Sequence, residues 1–285
     1  MTIADARREM REALVAKYGE REATAIARAV IMQLKGWSMA EMLANEQREA
    51  SEFIIGRSRE ILSQLIKDVP LQYALGETVF YGLTLKVRSG VLIPRPETEE
   101  LVDLIVKQNR RDDLRVLDLC TGSGAIALAL ARNLPFSKVD AIDISPEAIA
   151  VATENNNSLK TKVSIRQADV FSVSLPEGVF DIMVSNPPYV CESEKADMEP
   201  NVLSYEPPEA LFVPDSNPLL FYRRIAELGT RALAPDGRLY FEINPRFASE
   251  LTRLLQSMGY SEVETYRDVH GNERFISAIT STERK

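Results

Sequence analysis

Arg115-Val116-Leu117-Asp118-Leu119-Cys120-Thr121-Gly122-Ser123-Gly124-Ala125-Ile126-Ala127-Leu128-Ala129-Leu130-Ala131 is the stretch whose reading decides the fold. It opens apolar and β-branched, narrows to a run of small residues and continues as an alanine-rich segment, so it reads as strand, tight turn, helix. Glycines in the turn let the backbone approach a bound group closely, and the helix start offers N–H groups with no intrahelical partner. Working outward, the pattern alternates: helix 97–107, strand 115–119, helix 123–132, strand 138–143, helix 146–155, strands 162–167 and 180–185, helix 217–232, strand 237–243 and helix 246–258. An antiparallel pair near 261–267 and 273–279 closes it. Such alternation implies a doubly wound, Rossmann-like α/β sheet that is mostly parallel with helices on both faces, and ligands bind outside the carboxyl ends of its strands.

The strand Val139-Asp140-Ala141-Ile142-Asp143-Ile144 ends in an acid. A carboxylate about 20 residues past a glycine turn is placed to hold both hydroxyls of a ribose. Gly122-Ser123-Gly124-Ala125-Ile126-Ala127 also satisfies the dinucleotide pattern G-x-G-x-x-(G/A), so a nicotinamide enzyme competes. Asp118 weighs against it: an acid beside the turn repels a pyrophosphate but complements the ammonium of an aminoacyl sulfonium such as S-adenosyl-L-methionine. No second glycine-rich βαβ unit is evident.

A second motif, Asn186-Pro187-Pro188-Tyr189, ends the apolar strand Phe180-Asp181-Ile182-Met183-Val184-Ser185. Two prolines stop the ladder because neither donates a backbone hydrogen bond. The Asn186 side-chain oxygen and the Pro187 carbonyl are thereby left to receive a planar NH2 group, on an amide or a nucleobase, with the Tyr189 ring packed against it or closing its pocket. Asn-Pro is also an ordinary turn signal, and Tyr189 equally suits a core aromatic.

With these residues in view, the chain resembles the bacterial release-factor glutamine methyltransferases, a family of class I S-adenosylmethionine-dependent enzymes. The stretches that carry the resemblance are Leu92-Ile93-Pro94-Arg95-Pro96-Glu97-Thr98-Glu99, Asp118 to Gly124, Ser185 to Tyr189, and Arg267-Asp268 with Gly271-Asn272-Glu273-Arg274. It implies methyl transfer from S-adenosyl-L-methionine, leaving S-adenosyl-L-homocysteine, to the side-chain nitrogen (N5) of the glutamine in the Gly-Gly-Gln motif of class-1 peptide chain release factors. Asn186, Pro187 and Tyr189 would then be catalytic, with Pro188 joining them in substrate binding. Asp118, Cys120, Thr121, Gly122, Ser123, Gly124, Asp143, Asp169, Val170 and Asn186 would hold the cofactor, with Asp169 at the adenine amino group and Val170 or its neighbour flanking the ring. Arg95, Glu97 and Glu99 are either a lid or an ion-paired helix start. Tyr205-Glu206-Pro207-Pro208-Glu209 begins a second loop over the same rim. Arg267, Asp268, Asn272 and Arg274 suit a structural role in the C-terminal hairpin. Glu242-Ile243-Asn244 departs from relatives that have glycine or histidine after the glutamate, a change expected to alter a loop without touching the acceptor motif.

Apolar residues recur at helical spacing from Ile3 to about Ile66, with Gly19 and Gly36 as separators. The expected organisation is a helical domain over 1–70, by its pattern a scaffold and by what the resemblance implies a substrate-docking domain, then a β-hairpin linker over 71–95 and a methyltransferase domain over 96–285. Two cysteines and one histidine disfavour a disulfide framework or a zinc site, and no metal is expected. The net charge is −8, and residues 1–70 carry 11 basic and 11 acidic side chains, so the excess acidity lies in the remainder. That balance disfavours direct nucleic-acid binding. It weighs against one alternative, an adenine-N6 methyltransferase acting on DNA or RNA, while the intact motifs weigh against a non-catalytic adaptor. No leader pattern opens the chain and no apolar run reaches ~20 residues, so a cytoplasmic protein with no membrane span is expected.

Overall fold

The computed structural model describes residues 1–280. They form two compact units, Met1–Glu77 with Glu199–Tyr205, and the rest of the described chain. The first unit holds α1 (Ile3–Lys35), α2 (Met39–Ala44), α3 (Glu52–Leu65) and α4 (Leu71–Leu75). Gly19 kinks α1 with φ +74°, and Gly36 ends it in the left-handed region, as their punctuating positions lead one to expect. Met10, Leu14, Ala27, Val30, Ile61 and Leu65 form its core. The unit runs past residue 70 because α4 starts after Pro70 and adds Ala74 to that core.

The second unit opens with a hairpin, β1 (Glu77–Phe80) and β2 (Leu83–Lys86), turned by Tyr81 and Gly82 at positive φ. There follow α5 (Pro96–Gln108), β3 (Arg115–Leu119), α6 (Ala125–Asn133), β4 (Lys138–Asp143), α7 (Pro146–Leu159), β5 (Ser164–Gln167), β6 (Phe180–Ser185) and β7 (Val190–Cys191). After α8 (Pro200–Tyr205), which belongs to the first unit, come β8 (Phe212–Val213), α9 (Leu220–Ala232), β9 (Leu233–Glu242), α10 (Ala248–Ser257), β10 (Tyr260–Arg267) and β11 (Glu273–Thr280).

Seven strands form one sheet in the order β10-β11-β9-β6-β3-β4-β5. Strands β5, β4, β3, β6 and β9 are parallel, and β11 and β10 close the edge antiparallel. Side chains alternate between the faces. Val116, Ile182, Val184 and Tyr240 meet α5 and α6, whereas Leu117, Leu119, Met183 and Phe241 meet α9 and α10. Each such side chain, fully buried, contributes roughly 1.5–3 kcal/mol. The strand order reverses between β3 and β6, which opens a crevice at their carboxyl ends.

Strand β9 and the pair β7–β8 differ from expectation. Strand β9 begins at Leu233 rather than 237, because Leu233 pairs with Phe180 before a register shift carries the ladder on to Arg238 opposite Ile182. The short parallel pair β7–β8 was not foreseen; two residues per strand leave no alternation to read.

Helix α6 starts at Ala125 rather than 123 because Gly124 sits at φ +83°. A Cβ there would lie 3.1 Å from Leu128 Cδ1 and 3.2 Å from Ala152 Cβ, so Gly124 also sets the approach of α6 to α7. Gly124→Ala is expected to lower stability by about 1–3 kcal/mol, combining backbone strain with overpacking, read as a reduced urea midpoint at unchanged slope.

Candidate active site

Beyond β3 the chain turns through Cys120 (φ +61°), Gly122 (φ +57°) and Gly124. Cys120, Thr121, Gly122 and Ser123 wall a cleft of about 230 Å³. A Cβ on Gly122 would meet no protein atom within 4 Å, so the backbone there is open to a ligand. Burial pushes the Cys120 thiol up, which suits a small wall residue rather than a nucleophile.

Asp118, expected among the cofactor ligands, lies beneath this turn instead of on the cleft wall. It is fully buried, and its Oδ2 accepts from the Thr121 hydroxyl at 2.5 Å and the Ala127 N–H at 3.2 Å. The pleat explains the placement, since Asp118 shares a face with Val116 and therefore points under α6. Its Oδ1 has no partner among the described residues. Burial pushes the carboxyl up to about 7 against the pull of Thr121 and Ala127. Gly124 likewise serves packing rather than the wall.

Asp143 ends β4 in the cleft, with Oδ2 accepting from Gly122 N–H at 2.8 Å and Oδ1 from Ser145 N–H at 2.9 Å. A carboxylate accepts about four bonds, so further donors fit. Burial raises its pKa and the backbone N–H groups oppose the rise. Asp169 and Val170 also line the cleft, and Asp169 Oδ1 accepts from Phe171 N–H at 2.9 Å. The aromatic surface comes from Phe171 and Phe221, 5.1 Å apart edge to face. Phe171 is the neighbour of Val170 that the resemblance allowed for at the ring, whereas Phe221, among ordinary apolar residues, was not singled out in the sequence.

Asn186 and Pro188 line the same cleft. The Ser185 hydroxyl just before them donates to the Leu119 carbonyl at 2.6 Å, tying the ends of β6 and β3 together. Neither Asn186 Oδ1 nor the Pro187 carbonyl accepts a hydrogen bond from any described residue. Asn186 Nδ2 donates to Thr98 Oγ1, long at 3.4 Å. Tyr189 turns away from the expected position against a substrate amide: its hydroxyl donates to buried Glu242 at 2.9 Å and its ring packs on the core around α9. The expectation for Asn244 also needs correction. Its Nδ2 donates to the Tyr189 carbonyl at 3.1 Å and to Glu194 at 2.9 Å, so it does touch the acceptor motif, because β9 ends beside β6.

The remaining expectations resolve in part. Arg95 lines the cleft and pairs with buried Glu206 at 2.7 Å, and Glu206 also accepts from Ile93 N–H at 3.2 Å. Pro207 and Glu209 line the cleft, while Tyr205 instead donates to the Lys67 carbonyl in the first unit. In the hairpin, Asp268 accepts from the backbone of His270 and Asn272 and from Arg274 Nε at 3.3 Å, and Arg267 donates to the Gly271 carbonyl. The positive charge of Arg274 also opposes the rise that burial imposes on the Tyr189 and Glu242 pKa values. Thr98 and Glu242 were missed as members of the site. Thr98 lies inside a stretch quoted above but reads as part of a helix start.

Among the described residues no group of three or more His, Cys, Asp or Glu is placed to hold a metal, and no helix is long and apolar enough to cross a membrane.

A methyltransferase small domain model matches residues 97–204, and a PrmC N-terminal domain model matches residues 5–76. Among solved structures, a methyltransferase from Pyrococcus furiosus superposes with a TM-score of 0.52 at 17% identity, covering 79% of this chain and 98% of that one. The fold is that of the class I methyltransferases. The chain is 52% identical over 219 residues to the release factor glutamine methyltransferase of Bacteroides thetaiotaomicron, covering 76% of this chain and 78% of the relative. It is 38% identical over 280 residues to that of Flavobacterium psychrophilum, covering 97% and 98%. This protein belongs to the release factor glutamine methyltransferase family.

Asp118 makes stability pH-dependent. Unfolded, its carboxyl titrates near 3.8; folded, it keeps its proton up to about 7. Between these values the folded chain binds more protons than the unfolded one, so the group's contribution falls as pH rises through that window. Asp118→Asn removes the titration. The variant should therefore gain stability relative to the parent between pH 4 and 7.5, and urea unfolding showing a constant difference would refute the burial argument.

Proposed function

We propose that this protein transfers a methyl group from S-adenosyl-L-methionine to N5 of the glutamine in the Gly-Gly-Gln motif of class-1 release factors. The observation that carries the reading is the pair of acceptors without a described donor just past β6, Asn186 Oδ1 and the Pro187 carbonyl, of which Asn186 lines a cleft suited to a nucleoside while Pro187 is buried behind it. Family membership supports the choice of substrate.

The wall residues fit the cofactor. Asp143 would hold the ribose hydroxyls with the lone pairs left beside its bonds to Gly122 and Ser145. Asp169 would accept from the adenine amino group, with Val170, Phe171 and Phe221 offering apolar surface to the ring. The backbone from Cys120 to Ser123, shaped from below by Asp118, would receive the aminoacyl portion. When bound, S-adenosylmethionine supplies an electrophilic methyl carbon on a sulfonium.

The residues of β6 then meet the harder demand. An amide nitrogen is a weak nucleophile because its lone pair is delocalised into the carbonyl. Two acceptors hold both amide hydrogens, aim the nitrogen and favour the positive charge it gains, and after transfer one of those hydrogens leaves to water as a proton. Positioning of this kind supplies up to ~7–11 kcal/mol in the best cases. The same oxygens oppose a glutamate carboxylate, and a site built this way rejects the wrong group by ~10⁴-fold. Tyr189 acts by holding Glu242 rather than by touching the amide. We assign the helical unit to docking of the release factor, and place the enzyme in the cytoplasm with its substrate.

Asn186→Ala should reduce methyl transfer to a purified release factor by ~10²–10³ while leaving cofactor affinity nearly unchanged. Asp143→Asn should do the reverse, weakening cofactor binding by about 1.5–3 kcal/mol through lost charge-assisted bonds. Labelled-methyl transfer and calorimetric titration read the two effects. Equal turnover by Asn186→Ala, or labelling of a Gln→Glu release factor, defeats the amide-orienting mechanism; labelling of DNA instead favours the adenine reading. Removal of residues 1–77 should raise KM for an intact release factor and spare cofactor affinity, and an unchanged KM would end the docking assignment.

A further inference from the structure

We propose that Thr98 and Glu242 lock the Asn186 side-chain amide in one of its two flips, making them the positioning residues that select an amide over a carboxylate. The inference deepens the reading of Asn186 as an acceptor and rests on it.

The lock follows from which groups can donate. Glu242 is 1% exposed at the end of β9, and Ser185 of β6 pairs with its neighbour Phe241. Its Oε2 lies 2.6 Å from Thr98 Oγ1 and its Oε1 lies 2.9 Å from the Tyr189 hydroxyl. A carboxylate only accepts, so both hydroxyls must spend their single hydrogen on it.

Thr98, 4% exposed in the first turn of α5, therefore has only lone pairs left to offer Asn186. The Asn186 atom facing it must be the nitrogen, since an oxygen there would set acceptor against acceptor. Asn186 Nδ2 occupies that position and Oδ1 is left for the substrate. Rotating the amide by half a turn would present an NH2 group instead, which repels a glutamine nitrogen and welcomes a carboxylate. The chain Tyr189, Glu242, Thr98, Asn186 thus fixes the sign of the acceptor in a side chain whose own two flips are close in energy.

The test uses the full-length chain with Thr98→Val, Thr98→Ser and Glu242→Gln. Val keeps the volume and removes the hydroxyl, Ser restores the hydroxyl, and Gln keeps the shape while adding a donor that frees the polarity. The readouts are kcat, KM, cofactor affinity, and inhibition by a Gln→Glu release factor. Thr98→Val should lower kcat by roughly tenfold to a hundredfold with cofactor affinity unchanged. It should also tighten inhibition by the Glu release factor, relative to KM for the Gln protein, by about tenfold. Glu242→Gln should shift that ratio in the same direction, and Thr98→Ser should restore it. A ratio unmoved in Thr98→Val, or a Ser variant as impaired as the Val variant, overturns the lock.

The orientation is also read without turnover. The side-chain 15N–1H pair of Asn186, assigned by its loss in Asn186→Asp, should shift in Thr98→Val and not in Thr98→Ser. No shift in Thr98→Val overturns the lock even if the enzyme is active. A parent chain that never labels a release factor, with the Val shift present, would refute the assigned reaction and leave the lock standing.

Discussion

At the centre of the sheet the Ser185 hydroxyl donates to the Leu119 carbonyl at 2.6 Å, buried and across two parallel strands. One of these strands runs into the glycine turn and the other into Asn186, so this bond fixes the spacing between the cofactor wall and the acceptor loop. A buried hydroxyl without a partner costs about 1–3 kcal/mol, which makes the paired arrangement the one the fold returns to. The rest of the site is arranged around these two strand ends. Strand β4 delivers Asp143 on one side, and β9 delivers Glu242 on the other. Both halves depend on the parallel register that sets Leu119 opposite Ser185.

Two acids behind this rim, Asp118 and Glu242, are buried and a third, Asp143, is half-buried on the cleft wall, and each is answered by donors. Asp118 shapes the glycine turn through Thr121 and the first turn of α6. Asp143 closes Gly122 onto β4 and caps the entry to α7 through Ser145. Glu242 collects two hydroxyls and the field of Arg274. Taking one carboxylate out of water costs several kcal/mol even after relaxation. Such groups add little to stability; what they provide is a backbone and side-chain geometry with few alternatives.

The glycine turn and Asn-Pro-Pro-Tyr were legible because their chemistry is local. Small residues permit positive φ, prolines end a ladder, and neighbours in sequence fix both properties. The two-sided sheet was legible too, since helix and strand segments alternate along the sequence and β3 and β6 are nearly continuous apolar runs, as strands covered on both faces are. Asp118 was misplaced because a motif shows which residue is acidic but not which face of the pleat it takes. Thr98 and Glu242 lie 144 residues apart in sequence, and Tyr189 and Glu242 lie 53 apart. Their hydrogen bonds exist only once β9 is laid beside β6, and no local pattern encodes that step. Asn244 was misjudged for the same reason. Phe221 went unnoticed because an aromatic in an apolar stretch carries no sign of which cavity it will face.

Helix α8 belongs to the first compact unit although it is entered from Met198 and left at Glu206, both in the second. The first unit is therefore discontinuous along the chain. During synthesis its first 77 residues leave the ribosome long before Pro200–Tyr205, by which time β3, β4, β5 and β6 have all been made. The helical unit acquires its last element, and Tyr205 its bond to the Lys67 carbonyl, only after the parallel strands of the sheet's centre exist. Maturation is then not strictly vectorial: completing the earliest segment waits on a late insertion, which ties the assembly of the two units into one sequence of events.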